Sequence, residues 1–255
     1  MGTNRANGSL YTSVNQGIAT IEFGHPAGNS FVSELLQRLT KQLQELSSDN
    51  SVSLIVLKSE GDGAFCAGAS FHELMAVSNQ KEGTEFFSGF AHVINAMRNC
   101  SQPIIGRVQG KAVGGGVGLI SACDYVFASE DASVKLSELS IGIAPLVIAP
   151  AVKRKVGAAG LAELSLAPTE WKNAYWAKEK GLFSKVYGNV KEMDKELEFF
   201  TSQLAKYNPM ALAALKQALW EGTEDWGTLL TNRAAQTGAL ALSDQTKKAM
   251  AAFKK

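Results

Sequence analysis

The sequence predicts an α/β protein, because strand-like and helical segments alternate over residues 10–135 and helical segments follow to the end of the chain. Two glycine-bearing segments, residues 65–69 and 109–118, interrupt the alternating part. Residues this small leave backbone N–H groups uncovered, so both segments predict hydrogen-bond donors from the backbone. The chain has 255 residues, of which 45% are hydrophobic, and can therefore bury a substantial core.

Alternating or continuously apolar runs predict the strands, and apolar residues at helical spacing predict the helices. The first part is expected to contain a hairpin over 11–23, helices over 30–47, 85–99 and 115–122, and strands over 52–58, 103–108 and 124–128. The second part is expected to contain helices over 152–166, 170–180, 190–206, 211–221 and 226–253. We expect a β/α core in residues 1–190 and a helical C-terminal region in residues 191–255.

Charge and composition exclude several classes of function. The chain has 25 basic and 24 acidic residues, so no basic surface is expected that would attract nucleic acid or an anionic membrane. No apolar run approaches the roughly 20 residues of a membrane span, and the polar start does not resemble a secretory signal. Cys66, Cys100 and Cys123 are scattered, as are the three histidines, which favours a cytoplasmic protein with reduced thiols and no metal site.

The glycine-rich segment 109–118 fits neither common phosphate-binding motif. Only three residues separate Gly106 from Gly110-Lys111, and Ala112 follows, which excludes a Walker A loop. Leu119 stands where a dinucleotide fingerprint requires its third glycine. The local sequence leaves two interpretations of this segment open. It is either a tight strand-to-helix turn without a ligand or a helix start that binds an anion.

Several segments together resemble the crotonase (enoyl-CoA hydratase/isomerase) superfamily. They are residues 56–58 with 64–69, 102–116, 123–128, 138–143, 179–183 and 243–253. The resemblance implies a crotonase-type spiral of repeated β/α units with a helical C-terminal region that forms trimers, as a homotrimer or homohexamer. It also implies an acyl-CoA thioester as substrate, with coenzyme A bound as part of it and no permanently bound cofactor. Whether Lys254 or Lys255 reaches a neighbour's CoA stays open.

The resemblance also assigns roles to residues of this chain. The N–H groups of Ala69 and Gly115 would hold the thioester oxygen and stabilise an enolate, and Glu138 would transfer the proton. The CoA part would contact Ala67, Ala69, Ser70, Phe71, His72 and Gly115, although the residues by themselves favour His72 as an exposed helix residue. The acyl chain would lie against segments 71–95 and 141–150.

One position departs from the hydratases of this family, which use two glutamates to position and ionise water. Gly118 stands where the first is expected, so Glu138 is the single carboxylate, a pattern that resembles the family's Δ3,Δ2-enoyl-CoA isomerases. A 1,3-proton shift, an isomerisation, is therefore favoured. Residues 142–157 resemble methylglutaconyl-CoA hydratases, so a hydratase for a branched substrate is an alternative, with Lys135, Lys153 or Arg154 facing a carboxylate. A catalytically silent acyl-CoA-binding subunit is the other alternative.

Overall fold

The computed structural model describes residues 5–253, so Lys254 and Lys255 lie outside the described residues. The strands are β1 (Ser9–Asn15), β2 (Ile18–Gly24), β3 (Leu54–Ser59), β4 (Ile104–Val108), β5 (Ala112–Val113), β6 (Tyr125–Ser129), β7 (Ser133–Lys135), β8 (Lys172–Asn173) and β9 (Lys185–Tyr187). The helices are α1 (Ser33–Ser47), α2 (Phe71–Ala76), α3 (Gln80–Asn99), α4 (Gly115–Ala122), α5 (Ala149–Leu166), α6 (Ala174–Glu179), α7 (Val190–Leu204), α8 (Pro209–Leu219), α9 (Trp226–Ala241) and α10 (Asp244–Phe253).

The strands form two sheets. The larger has the order β1-β2-β3-β4-β6-β9, with β1 and β2 antiparallel and the other neighbours parallel. Helices α1, α3 and α4 lie between successive strands of the chain, as parallel pairing requires. The smaller sheet has the order β5-β7-β8. The predicted α/β fold of repeated β/α units is confirmed.

The helix predicted over 30–47 is α1, and its apolar side faces the core. This helix buries Leu35, Leu36, Leu39, Leu43 and Leu46, which recur at intervals of three and four residues. Removing one such side chain from water stabilises the fold by about 1.5–3 kcal/mol. Strand β4 is buried along its whole length, as expected for a strand with parallel neighbours on both sides.

Two helix predictions were wrong in part. The helix expected over 226–253 ends at Ala241, and α10 begins at Asp244 after Ser243, whose hydroxyl accepts the N–H of Thr246 at 3.2 Å. The helix expected over 170–180 begins only at Ala174, because residues 172–173 pair with β7 as strand β8. Tertiary pairing there outweighs the helical spacing of the apolar residues.

Helix α9 packs along α3 through a pair of glycines. A Cβ on Gly83 would lie 3.0 Å from the Cα of Gly238, so any side chain at either position would separate the helices. This approach places the C-terminal helices against the β/α core, although the division at residue 190 stays a prediction. Within residues 5–253 no helix has the length and apolarity needed to cross a membrane.

Candidate active site

Backbone hydrogen bonds bring the two glycine-bearing segments together. The N–H of Cys66 donates to Lys111 O at 3.2 Å, and the N–H of Val113 donates to Cys66 O at 2.9 Å. Gly68, with φ of 94°, lies so close that a Cβ there would be 3.2 Å from Val113 O. The left-handed conformation and the close approach both require glycine at position 68.

The N–H of Ala69 points away from its neighbouring segment. Phe31 pairs with Ala69 in a parallel bridge, in which Phe31 N–H donates to Gly68 O and Ser70 N–H donates to Phe31 O, at 2.8 and 2.7 Å. In such a bridge the N–H of the central residue faces the opposite side. Ala69 lines a cavity, so its N–H is a donor available at that wall.

Gly115 supplies the second donor. It is the first residue of α4, and N–H groups in the first turn of a helix have no partner within the helix. A Cβ on Gly115 would overlap the ring of Phe90, so only glycine fits between this ring and the helix start. Among residues 5–253, no acceptor bonds the N–H of Ala69 or of Gly115, and both residues line the same cavity.

Glu138 begins a 3-10 turn, Glu138–Ile141, which is separated from the end of β7 by two residues. The turn is closed by Gly142, whose N–H donates to Leu139 O at 3.1 Å, and by Ile143, whose N–H donates to Glu138 O at 3.1 Å. The carboxylate lies against Gly114, because a Cβ there would be 2.9 Å from Oε1 of Glu138. The acid is therefore held next to the peptide that leads into Gly115.

The carboxylate of Glu138 is shielded from solvent. Oε2 is buried and has no hydrogen-bond partner among the described residues, although the residue as a whole is half-buried. Burial raises the pKa of Glu138 to about 7, and a hydrogen bond from its own backbone opposes this only in part. Such a carboxyl can both accept and release a proton near neutral pH.

The space beside Gly118 is filled by a side chain from another element. A Cβ on Gly118 would overlap Cγ2 of Ile148 and lie 2.8 Å from its Cβ. Ile148 is 4% exposed and lines the cavity from the residue before α5. Position 118 therefore has no room for a carboxylate, and sequence reasoning found the missing glutamate but not the isoleucine that replaces its volume.

The cavity that contains Glu138 has a volume of about 310 Å³. Segments 71–95 and 141–150, expected to hold the acyl chain, supply most of its apolar wall: Phe71, Leu74, Phe86, Phe87, Phe90, Ile141, Ile143, Ala144, Pro145, Leu146, Val147 and Ile148. Thr237 on α9 also lines it, and sequence reasoning missed this residue because it lies far along the chain. The apolar wall fits a hydrocarbon chain.

The residues expected to contact CoA fall into two groups. Those that line the cavity are Ala67, Ala69, Phe71 and Gly115. Ser70 and His72 do not: Ser70 caps α2 by accepting the N–H of Glu73 at 3.3 Å, and His72 is exposed on that helix. A role in CoA binding for these two stays a prediction.

The three basic residues considered for a substrate carboxylate are placed differently. Lys135 lines the cavity. Arg154 donates to Leu219 O at 2.6 Å and lies 3.9 Å from the ring centre of Trp220, so its guanidinium is engaged elsewhere. Lys153 is exposed on α5 and does not line the cavity. Within residues 5–253 no group of three or more His, Cys, Asp or Glu side chains could hold a metal ion.

Comparison with known proteins identifies the family. The family model described as enoyl-CoA hydratase/isomerase matches residues 13–255. The chain belongs to this family. The chain is 32% identical over 239 residues to the mitochondrial methylglutaconyl-CoA hydratase of Rattus norvegicus, covering 91% of this chain and 74% of that one. It is 30% identical over 196 residues to the peroxisomal Delta(3,5)-Delta(2,4)-dienoyl-CoA isomerase of Arabidopsis thaliana, covering 72% and 70%.

A solved structure supports the fold of this enoyl-CoA hydratase/isomerase family member. The enoyl-CoA hydratase from Bacillus halodurans has a TM-score of 0.88 and 21% identity, and the match covers 95% of this chain and 99% of that one. Family membership makes the chain an enzyme of the crotonase superfamily, whose members act on CoA thioesters. The similar relatives include both hydratases and isomerases.

Proposed function

We propose that this protein is an enoyl-CoA isomerase that works with a single carboxylate. Glu138 removes a proton from one carbon of the acyl chain and returns it to another, so the double bond moves and no water is added. The observation that carries this proposal is the pairing of Gly118 with Ile148. The place of a second carboxylate is occupied by an apolar side chain, while Glu138 stays in the cavity.

The two free N–H groups provide the other half of the proposed reaction. Proton removal next to a thioester leaves negative charge on the carbonyl oxygen, and Ala69 and Gly115 direct backbone donors into the cavity where that oxygen would lie. Donors fixed in this way stabilise the enolate without having to reorient during the reaction. Loss of one such donor typically raises the barrier by about 3–4 kcal/mol.

The surroundings of Glu138 suit a base that must also act as an acid. A pKa of about 7 leaves part of the population ionised at neutral pH and makes the captured proton easy to release. No hydrogen bond from the described residues stabilises the ionised form at the buried Oε2, which favours return of the proton. The mostly apolar wall, which includes Ile148, also offers an attacking water few hydrogen-bond partners.

Proton NMR in D2O tests the proposal. A 3-enoyl-CoA mixed with the protein should gain deuterium and shift its double bond without forming a 3-hydroxyacyl product. Glu138→Gln should reduce this turnover by about a hundred- to ten-thousandfold while CoA-ester binding survives. Glu45→Gln, an exposed change on α1, is the matched control and should retain full activity. Full activity of Glu138→Gln would overturn the proposal.

A hydratase for a branched substrate is the second candidate. The similarity to a protein named methylglutaconyl-CoA hydratase, over 91% of this chain, favours it. Formation of a 3-hydroxyacyl-CoA from crotonyl-CoA or methylglutaconyl-CoA would establish water addition and replace the isomerase proposal. Binding of CoA esters with neither product nor proton exchange would instead indicate a catalytically silent acyl-CoA-binding subunit.

We further propose a cytoplasmic homotrimer or homohexamer that contacts CoA through Ala67, Ala69, Ser70, Phe71, His72 and Gly115. Cys66, Cys100 and Cys123 are unpaired and buried, which supports a reducing compartment. Sedimentation of the purified protein checks the assembly: a monomer at micromolar concentration would contradict it.

A further inference from the structure

Two lysines share one tryptophan at the edge of the smaller sheet. In that sheet Val113 pairs with Lys135, and Val134 pairs with Lys172, so Lys135 stands next to Trp171, the residue just before β8. The Nζ atom of Lys135 lies 4.5 Å from the ring centre of Trp171, and that of Lys111 lies 5.1 Å from it. Both distances are within cation–π range.

These two ammonium groups have no negative partner. Within residues 5–253, no carboxylate lies at ion-pair distance from Lys111 or Lys135. The neighbouring Lys172 is different, since its Nζ is 2.9 Å from Glu163 and 3.0 Å from Glu170. Two positive charges on one ring repel each other, and an anion between or beside them would remove that cost.

The lysine pair adjoins the candidate active site. Val113 and Lys135 line the cavity that contains Glu138, and the backbone oxygen of Lys135 accepts the N–H of Gly114 at 2.9 Å. A ligand in the cavity can therefore extend to this edge of the sheet. Trp171 is 39% exposed, which leaves its ring accessible from outside.

We propose that Lys111, Lys135 and Trp171 form a binding site for an anionic oxygen group of the acyl-CoA ligand. Resting on the proposed function, this site takes either a carboxylate at the far end of the acyl chain or a phosphate of CoA. Both groups accept charge-assisted hydrogen bonds from ammonium groups. The tryptophan ring packs against the lysines and limits the positions that their side chains can adopt.

Calorimetric binding of unreactive saturated thioesters tests the proposal without any turnover. The ligands are octanoyl-CoA, its analogue with a terminal carboxylate, and the pantetheine thioesters of both chains, which lack the CoA phosphates. The variants are Lys135→Met and the double variant Lys111→Met with Lys135→Met. Lys153→Met is the matched control, because it removes the same charge at an exposed position away from the cavity.

Each source of the anion gives a different pattern. If the site binds the acyl carboxylate, Lys135→Met weakens the binding of both carboxylate-bearing ligands about tenfold and leaves the affinity for octanoyl-CoA unchanged. If the site binds a phosphate, the substitution weakens the binding of both CoA esters and leaves the binding of both pantetheine esters unchanged. In either case, raising the salt concentration should reduce the difference in affinity between the variant and the wild-type protein.

Unchanged affinities of the double variant for all four ligands would overturn the proposal, as would an equal loss in Lys153→Met. Failure of the isomerase proposal gives a different result. A protein that shows the charge-dependent binding pattern but moves no double bond would contradict the isomerase proposal alone. The affinities are measured with ligands that do not react, so they do not depend on turnover.

Discussion

Ile148 occupies the space that a side chain at Gly118 would need. The two positions belong to different elements, yet a Cβ on Gly118 would be 2.8 Å from the Cβ of Ile148. Rotation about χ1 moves the γ atoms and leaves Cβ in place, so Ile148 cannot withdraw its Cβ without movement of its backbone. A glutamate therefore cannot be introduced at position 118 by one substitution, and the missing carboxylate is a property of the packing as well as of the sequence.

The contact predicts that Gly118→Ala changes the free energy of unfolding in opposite directions in two backgrounds. Gly118→Ala should destabilise the wild-type protein by about 1–3 kcal/mol, because it overpacks the contact with Ile148. In an Ile148→Gly background, which also removes the Cβ of residue 148, the same substitution should stabilise α4 by up to about 1 kcal/mol, since alanine favours a helix over glycine. Urea unfolding of the four proteins in this cycle measures the coupling. Equal effects of Gly118→Ala in both backgrounds would show that the two positions do not touch.

The same contact predicts how water addition could be introduced. Gly118→Glu combined with Ile148→Gly should give measurable formation of 3-hydroxyacyl-CoA from crotonyl-CoA, because a second carboxylate then faces the cavity with room for water. Gly118→Glu alone should unfold at lower urea concentration and form no such product. If the single variant hydrated crotonyl-CoA as well as the double one, the steric argument would be wrong.

The raised pKa of Glu138 predicts the pH dependence of activity. The ionised form is the base, so kcat/KM should rise about tenfold per pH unit below about pH 7 and level off above it. The profile should be recorded with substrate well below KM. A limb centred near pH 4.5, the ordinary value for a glutamate, would show that burial does not hold this proton.

Stability should change with pH in the opposite direction. Because the folded protein holds the Glu138 proton up to about pH 7 and the unfolded chain releases it near 4.5, the contribution of this group falls as pH rises between these values. The slope is at most about 1.4 kcal/mol per pH unit, and above pH 7 no further loss is expected. The free energy of unfolding of Glu138→Gln should lack this slope, while Glu45→Gln keeps it.

Local sequence patterns predicted the fold best where one apolar face meets the core. The leucines of α1 and the buried strands β3 and β4 follow directly from spacing and β-branching. The short strand β8 was predicted as helix, because two residues that pair with β7 carry almost no periodic signal. The break before α10 depends on a single capping residue, Ser243, inside an otherwise helical pattern.

The residues of the candidate site were predicted from motifs, and their surroundings were not. Sequence reasoning named Ala69, Gly115 and Glu138, and the structure places all three on one cavity. Thr237 reaches that cavity from a distant part of the chain, and Ile148 lies in the expected segment 141–150, but no local pattern indicated Thr237 or the contact of Ile148 with Gly118. The pKa of Glu138 likewise depends on burial by several elements, which only the folded arrangement reveals.

A hydrogen bond from α10 predicts a positioning residue for Glu138. Thr246 is fully buried, and its hydroxyl donates to Gly142 O at 2.7 Å, just after the turn that carries Glu138. Thr246→Val removes the donor and should lower kcat about three- to tenfold with little change in KM, because the turn loses one restraint. Thr246→Ser should restore kcat. Thr201→Val, which removes a buried hydroxyl in α7, should leave kcat unchanged.

A buried ion pair predicts a large stability effect away from the site. Nζ of Lys216 lies 2.6 Å from Oδ2 of Asp124, with side chains 2% and 4% exposed, and Asp124 also accepts the indole N–H of Trp220 at 2.7 Å. Lys216→Met should cost about 3–5 kcal/mol of the free energy of unfolding, because it leaves the Asp124 charge buried without its cation. Lys41→Met removes an exposed partner of Glu45 and should change little. Urea unfolding compares the two variants, and equal small losses in both would mean that Trp220 and the backbone alone stabilise the Asp124 carboxylate.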